Sequence, residues 1–172
     1  PKTPKPLRSF YKLNYLKKMG SNPSVQRWTH KKQFVPGSVV LVQGGSSGLG
    51  RELVLRYAAR QCPVVVSGLE EELLKEVVAE CKSKYGNEKV VYMVAEATSE
   101  ADAKALVDLA ISSFGKLDIL VLAAGIAAHA LFRNLSTDII RKIMEVNFMG
   151  YVILTKHALP HLLASYGQIG MI

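Results

Sequence analysis

From Ser38 onward, short runs of β-branched and aliphatic residues alternate with longer stretches whose apolar positions recur every three or four residues. Ser38–Gln43 (SVVLVQ), Pro63–Ser67 (PVVVS), Lys89–Ala95 (KVVYMVA) and Leu117–Ala123 (LDILVLA) are read as four buried strands. Between them, Leu53, Val54, Tyr57 and Ala58 share a helical face opposite Glu52 and Arg56. Leu74, Val77, Val78 and Cys81 follow at i, i+3, i+4, i+7, and Ala103, Leu106, Val107, Ala110, Ile111 and Phe114 repeat the stripe. Strands alternating with single helices demand right-handed crossovers, so the pattern predicts an α/β fold with a doubly wound parallel sheet, helices on both faces.

A long helical region is expected over 137–163, capped by Ser136 or Thr137 and bent near Gly150. Within it Ile140, Ile143, Met144, Asn147, Phe148 and Tyr151 form a stripe that predicts Asn147 in the middle of a buried face, with Tyr151 as core. A buried amide there needs partners, since leaving it unsatisfied costs about 1–3 kcal/mol. Tying the helix to a neighbouring backbone is one way to supply them. Gly167–Ile172 (GQIGMI) opens a fifth strand, after which the sheet reads as incomplete.

Composition narrows the class. In 172 residues, 49% are hydrophobic and 21% charged, with two cysteines, which excludes a disordered, collagen-like or disulfide-stapled chain. Cys62 and Cys81 stand apart without a second pair, and are read as reduced packing residues, with no metal site. The longest uncharged apolar run, Ile119–Ala128, is about half the ~20 residues of a membrane span, so no span is expected.

The formal net charge of +8 is unevenly placed. Residues 1–50 hold nine Lys or Arg and no acid, whereas residues 51–172 hold the other thirteen bases against all fourteen acids. The excess belongs to a basic N-terminal extension, residues 1–36, ending at Pro36-Gly37, and residues 37–172 form a nearly neutral body. No nucleic-acid partner is expected for that body. The extension itself is either a solvated arm packing Phe10, Tyr11 and Trp28 on the domain, or a tether to anionic lipid or nucleic acid. The chain opens at Pro1 and not at methionine, which leaves room for an upstream segment.

The chemistry begins at Gly44-Gly45-Ser46-Ser47-Gly48-Leu49-Gly50, between the first strand and the first helix. Glycines there let the backbone turn tightly and approach a ligand, and the helix N-terminus behind them favours a pyrophosphate. In this βαβ setting the loop predicts a dinucleotide site.

The spacing G-x-x-x-G-x-G, with the later segments, resembles the short-chain dehydrogenase/reductase family from about Ser38 to Ile172. Met144-Glu145-Val146-Asn147-Phe148, continuing through Tyr151–Thr155 and Ala158-Leu159-Pro160, is most similar to its 11-beta-hydroxysteroid dehydrogenase branch. The resemblance implies a Rossmann-like domain that binds NAD or NADP and moves hydride between nicotinamide and a small-molecule alcohol or carbonyl, steroid- or lipid-like substrates included. A homo-oligomer is compatible with it. It places Gly44, Ser46, Ser47, Gly48, Leu49 and Gly50 on the phosphates and ribose, with Gly68 and Leu69 at the end of the second strand. Glu96 and Ala97 fall by the adenine, Ala123, Ala124 and Gly125 on the nicotinamide side, and Asn147 anchors a water of the proton relay.

Three departures matter. The second strand ends in Ser67-Gly68-Leu69, with neither the acid that binds the ribose hydroxyls of NAD nor the arginine that takes the phosphate of NADP. Ser47 stands where NADP-preferring members often carry a base, and Arg51 and Glu70 are left as candidates for either role. Leu122-Ala123-Ala124-Gly125 replaces Asn-Asn-Ala-Gly, removing two amides. The family's serine and Tyr-x-x-x-Lys pair are expected past Ile172, since Tyr151 is followed by Thr155 and Tyr11 by Tyr15. The chain as given is therefore expected not to turn over a substrate. A non-catalytic nucleotide-binding or regulatory protein of the same fold is the alternative.

Overall fold

The structure, a computed structural model, describes residues 36–172. The readings of the basic extension, Phe10, Tyr11 and Trp28 included, lie outside the described residues. The element order is β1 (Val40–Gln43), α1 (Gly48–Ala59), β2 (Val64–Gly68), α2 (Glu71–Tyr85), β3 (Val90–Val94), α3 (Glu100–Phe114) and β4 (Ile119–Leu122). A 3-10 turn (Phe132–Asn134), α4 (Thr137–Met144), a π-helical turn (Glu145–Met149), α5 (Gly150–Ser165) and β5 (Gln168–Met171) follow.

The five strands form one sheet in the order β3-β2-β1-β4-β5, every pair parallel. The order reverses between β1 and β4, so the crevice at their C-terminal ends is the topological switch point of the fold. Alternation along the strands sorts the core into two layers. Val40, Val42, Val64 and Val66 pack on Val54, Leu55 and Ala58 of α1 and Leu74, Val77 and Cys81 of α2. Leu41, Val65, Leu120 and Leu122 face Leu106, Val107 and Ala110 of α3 and Leu154, Ala158 and Leu162 of α5. Both cysteines are buried free thiols in the first layer, as their spacing suggested.

The helix ends follow their residues. Ser99 Oγ accepts from Asp102 N at 3.1 Å and Ser136 Oγ from Ile139 N at 3.3 Å, the predicted cap of α4. Gly86 (φ 63°) and Gly115 (φ 76°) close α2 and α3 in the left-handed region.

Two expectations need correction. The first strand begins at Val40 instead of Ser38: Val39 N donates to Asp118 Oδ2 at 2.9 Å, so a side chain takes the place of a ladder partner. The stripe from Ile140 to Tyr151 is not a buried face either. No residue of α4 is buried, Met144 is 53% and Phe148 55% exposed, and Asn147 and Tyr151 are half-buried. Helix α4 keeps the helical spacing of Ile140, Ile143 and Met144 but buries none of them. Past it, the extra residue of the π-turn breaks the 3.6-residue count and forms the predicted bend just before Gly150.

Candidate functional site

The loop after β1 is pinned from below. The amides of Gly44 and Gly45 both donate to Ser67 O, at 2.9 and 2.8 Å, and Ala123 N donates to Gln43 O at 2.9 Å. Those bonds draw the ends of β1, β2 and β4 into one narrow crevice. Side chains do not fit inside it: a Cβ on Gly44 (φ +79°) would lie 2.4 Å from Ala124 N, and one on Gly50 2.1 Å from Gly44 O. Gly48 (φ +55°) is different, because a Cβ there would meet nothing within 4 Å. Its outer side is open, and its glycine is required by backbone conformation alone.

Helix α1 starts at this opening. Ser47 at its N-cap makes no side-chain capping bond, and its first turn holds no acid. The first turns of α2, α3 and α4 instead carry Glu71 and Glu72, Glu100 and Asp102, and Asp138. The positive end of the α1 dipole is thus not neutralised by its own residues, which suits an anionic group. Gln43 adds a buried amide at the same strand end, 4% exposed, whose Oε1 has no hydrogen-bond partner among the described residues. A glycine cradle, an unneutralised helix start and an orphaned acceptor fit a pyrophosphate-bearing ligand with polar groups beside it.

The remaining predicted residues distribute around this centre. Ser46 abuts the end of β2, where a Cβ on Gly68 would lie 2.8 Å from Ser46 Oγ. Leu49 and Leu69 are 66% and 64% exposed, an apolar rim on either side. Arg51 is engaged by Glu80 of α2 in an ion pair, so it is not the open guanidinium that the sequence left as a candidate. Glu96 is exposed; its amide donates to Asp102 Oδ2 at 2.8 Å, and its carboxylate accepts from Thr98 Oγ1 at 3.3 Å. Ala97 packs beneath α5, its carbonyl oxygen 3.0 Å from where a Gly150 Cβ would sit.

On the β4 side, Ala123 and Ala124 line Gly44, and Gly125 faces Asn147, whose Oδ1 would be 3.4 Å from a Gly125 Cβ. The Asn147 amide closes a two-point clamp: Oδ1 accepts from Ile126 N and Nδ2 donates to Ile126 O, both at 2.9 Å. This is the helix-to-backbone tie that the sequence held open. Tyr151 is a half-buried residue whose hydroxyl donates to Ile172 O at 3.2 Å, and burial pushes its phenol above the ordinary range.

Sequence reasoning passed over Gln43 and Ile126, which carry no motif signal. It also passed over a Tyr-x-x-x-Lys pair, Tyr85 and Lys89. That pair does not serve the site. Tyr85 ends α2 and Lys89 immediately precedes β3, at the N-terminal edge of the parallel sheet, opposite the crevice.

The family model described as short chain dehydrogenase matches residues 38–172. The chain is 38% identical over 137 residues to 11-beta-hydroxysteroid dehydrogenase A of Sesamum indicum, covering 78% of this chain and 39% of that protein. It is 38% identical over 133 residues to the hydroxysteroid 11-beta-dehydrogenase 1-like protein of Homo sapiens, covering 77% and 42%. A solved double mutant of the Serratia marcescens short-chain dehydrogenase/reductase superposes with a TM-score of 0.69 at 28% identity, covering 74% of this chain and 53% of that one. The chain spans about two fifths of the length of these curated relatives. With a family match across the whole sheet and these relatives in agreement, the chain belongs to the short-chain dehydrogenase/reductase family, in its hydroxysteroid dehydrogenase-like branch.

Proposed function

We propose that this chain holds the nicotinamide dinucleotide of an oxidoreductase acting on an alcohol or carbonyl, with a steroid- or lipid-like substrate suggested by the names of its relatives. The observation that carries the reading is the glycine loop. It is too narrow for a side chain at Gly44 and Gly50, open at Gly48, and set at a helix start that its own residues leave uncapped and without an acid.

In this reading the Gly48, Leu49 and Gly50 turn binds the pyrophosphate through backbone amides and the helix dipole. Ser46 and Gly68 border the adenine-side ribose, and Glu96 with Ala97 borders the adenine. Ala123, Ala124 and Gly125 permit close approach on the nicotinamide side. Asn147 acts as a positioning residue, holding the Ile126 backbone against Gly125. The dinucleotide, when bound, supplies the hydride chemistry. Isothermal titration tests this with NAD(H) and NADP(H): one-site binding is expected for at least one of them, and no heat with any of the four overturns the reading.

The non-catalytic reading is favoured by one observation, the loss of both amides at Leu122 and Ala123. A ketone or alcohol assay on the 172-residue chain bears on catalysis separately from binding. The expected result is dinucleotide binding without turnover. Turnover would show that groups of this chain stand in for the family's serine, tyrosine and lysine.

A further inference from the structure

Among the described α-helices, α4 alone buries no residue. Its sequence, TDIIRKIM, is nonetheless two-sided. Counted at 3.6 residues per turn, Ile139, Ile140, Ile143 and Met144 fall in an arc of less than half the circumference. Arg141 and Lys142 stand at the two borders of that arc, and Asp138 falls on the opposite side. The turn that leads into the helix adds Leu131 and Phe132, 61% and 81% exposed, with Arg133 next to them. This turn is held at both ends. Asn134 N donates to Leu131 O at 2.8 Å, Leu135 N donates to Phe132 O at 3.1 Å, and Ser136 caps α4. Upstream, the Asn147 clamp holds Ile126, the residue after Gly125.

Charge separates this segment from the rest of the body. Residues 126–144 hold Arg133, Arg141 and Lys142 against Asp138 alone, whereas residues 37–125 hold nine bases against twelve acids and residues 145–172 one of each. Arg141 pairs with Asp138 at 3.2 Å, but both lie far out in solvent and the pair is weak. Arg133 and Lys142 make no ion pair among the described residues. We infer that α4 and the Leu131–Phe132 turn form a docking surface for an anionic lipid bilayer, lying in the plane of the interface. The apolar side chains enter the acyl boundary while the bordering bases reach the headgroups. A second copy of the chain suits the surface less well, since a two-fold contact sets the same bases against each other. The docking stands independently of the dinucleotide reading. It brings the β4 side of the crevice to the phase in which a lipid-like substrate is dissolved.

The test is sedimentation with vesicles of phosphatidylcholine alone and of phosphatidylcholine with phosphatidylserine, together with the fluorescence of Phe132→Trp in a Trp28→Phe background. Phe132 is exposed, so its substitution does not disturb the core. Wild type is expected to bind the phosphatidylserine vesicles, and less so as salt rises. Because the basic extension can also bind anionic lipid, the variants decide which segment makes the contact. Phe132→Ser should lower binding about ten-fold or more, the order set by burying one aromatic side chain. Lys142→Glu should lower it on the phosphatidylserine vesicles, and the Phe132→Trp signal should be quenched by brominated acyl chains. Absence of binding, binding that Phe132→Ser leaves unchanged, or a Phe132→Trp signal that brominated chains leave unquenched overturns the docking. A dimer that Phe132→Ser dissociates, without quenching by lipid, overturns it in favour of a second copy. NADH titration reads the crevice separately. Phe132→Ser is expected to keep the wild-type affinity, and a lost affinity would make Phe132 part of the dinucleotide site and overturn the docking, whereas failure of wild type to bind NADH bears on the dinucleotide reading alone.

Discussion

The side-chain amide of Asn147 grips the backbone of Ile126 at both its N–H and its C=O, each at 2.9 Å. Two bonds in this geometry fix the chain leaving β4 relative to the π-turn, and hold Gly125 between them. Replacing Asn147 by Ala removes both, and at this half-buried position the loss should be about 1–2 kcal/mol in urea unfolding. Asn147→Asp keeps the acceptor for Ile126 N but sets a carboxylate oxygen against Ile126 O, so it should lose at least as much. The distinguishing readout is amide exchange at Ile126. It should accelerate in both variants while the core strands stay protected, whereas a uniform loss of protection would mean a global packing role.

The glycines of the loop should separate by mechanism. Gly50→Ala puts a methyl 2.1 Å from Gly44 O, so the loop must move, and stability and dinucleotide affinity should both fall. Gly48→Ala meets no atom within 4 Å and costs only the positive-φ penalty, roughly 1 kcal/mol. Thermal unfolding should therefore rank Gly50→Ala well below Gly48→Ala. The reverse order would mean that the loop is not packed as described.

Asp118 should matter more than its place at the base of the sheet suggests. Its carboxylate is 3% exposed, accepts from Val39 N at 2.9 Å and pairs with Lys116 at 2.7 Å. Asp118→Ala leaves the buried Val39 N–H without that acceptor, for a loss of about 1–3 kcal/mol. Lys116→Ala, at the exposed end of the same pair, should cost under about 1 kcal/mol. Paired denaturation curves check the difference.

The two thiols give a pH dependence with a definite sign. Burial pushes Cys62 above the ordinary value and Cys81 up to about 11, from 9.0 for a free thiol. The folded state therefore holds its thiol protons to higher pH than the unfolded state. Stability from this source is complete below pH 9 and declines as pH rises towards 11. Cys81→Ala should flatten that decline. A thiol reagent at pH 8 should label neither cysteine without denaturant.

Much of the fold is legible because hydrophobic period and turn chemistry agree. The β-branched runs that end at Gly44 and at Ser67-Gly68 leave little alternative to parallel strands feeding helices. What escaped depends on contacts between distant residues. Asp118 capping Val39 shortens β1 through a side chain, which strand periodicity does not record. The π-turn at Glu145–Met149 has no compositional mark, and the helical spacing of Ile140, Ile143 and Met144 does not tell whether another element covers that face. In the site, glycines and Asn147 announce themselves by type. Gln43 and Ile126 matter through a side chain without a partner and a backbone amide, and neither has a residue-level signal. The Arg51–Glu80 pair, joining two helices, settles a charge that sequence alone left free.

The central claim is that the Gly44–Gly50 loop holds a dinucleotide, and hydrogen–deuterium exchange with and without saturating NADH tests it most directly. The expected result is slowed exchange at residues 44–51, 68–69, 96–97 and 123–126, lost in Gly50→Ala. Slowed exchange located instead around Tyr85 and Lys89, or none anywhere at a saturating concentration, would contradict it.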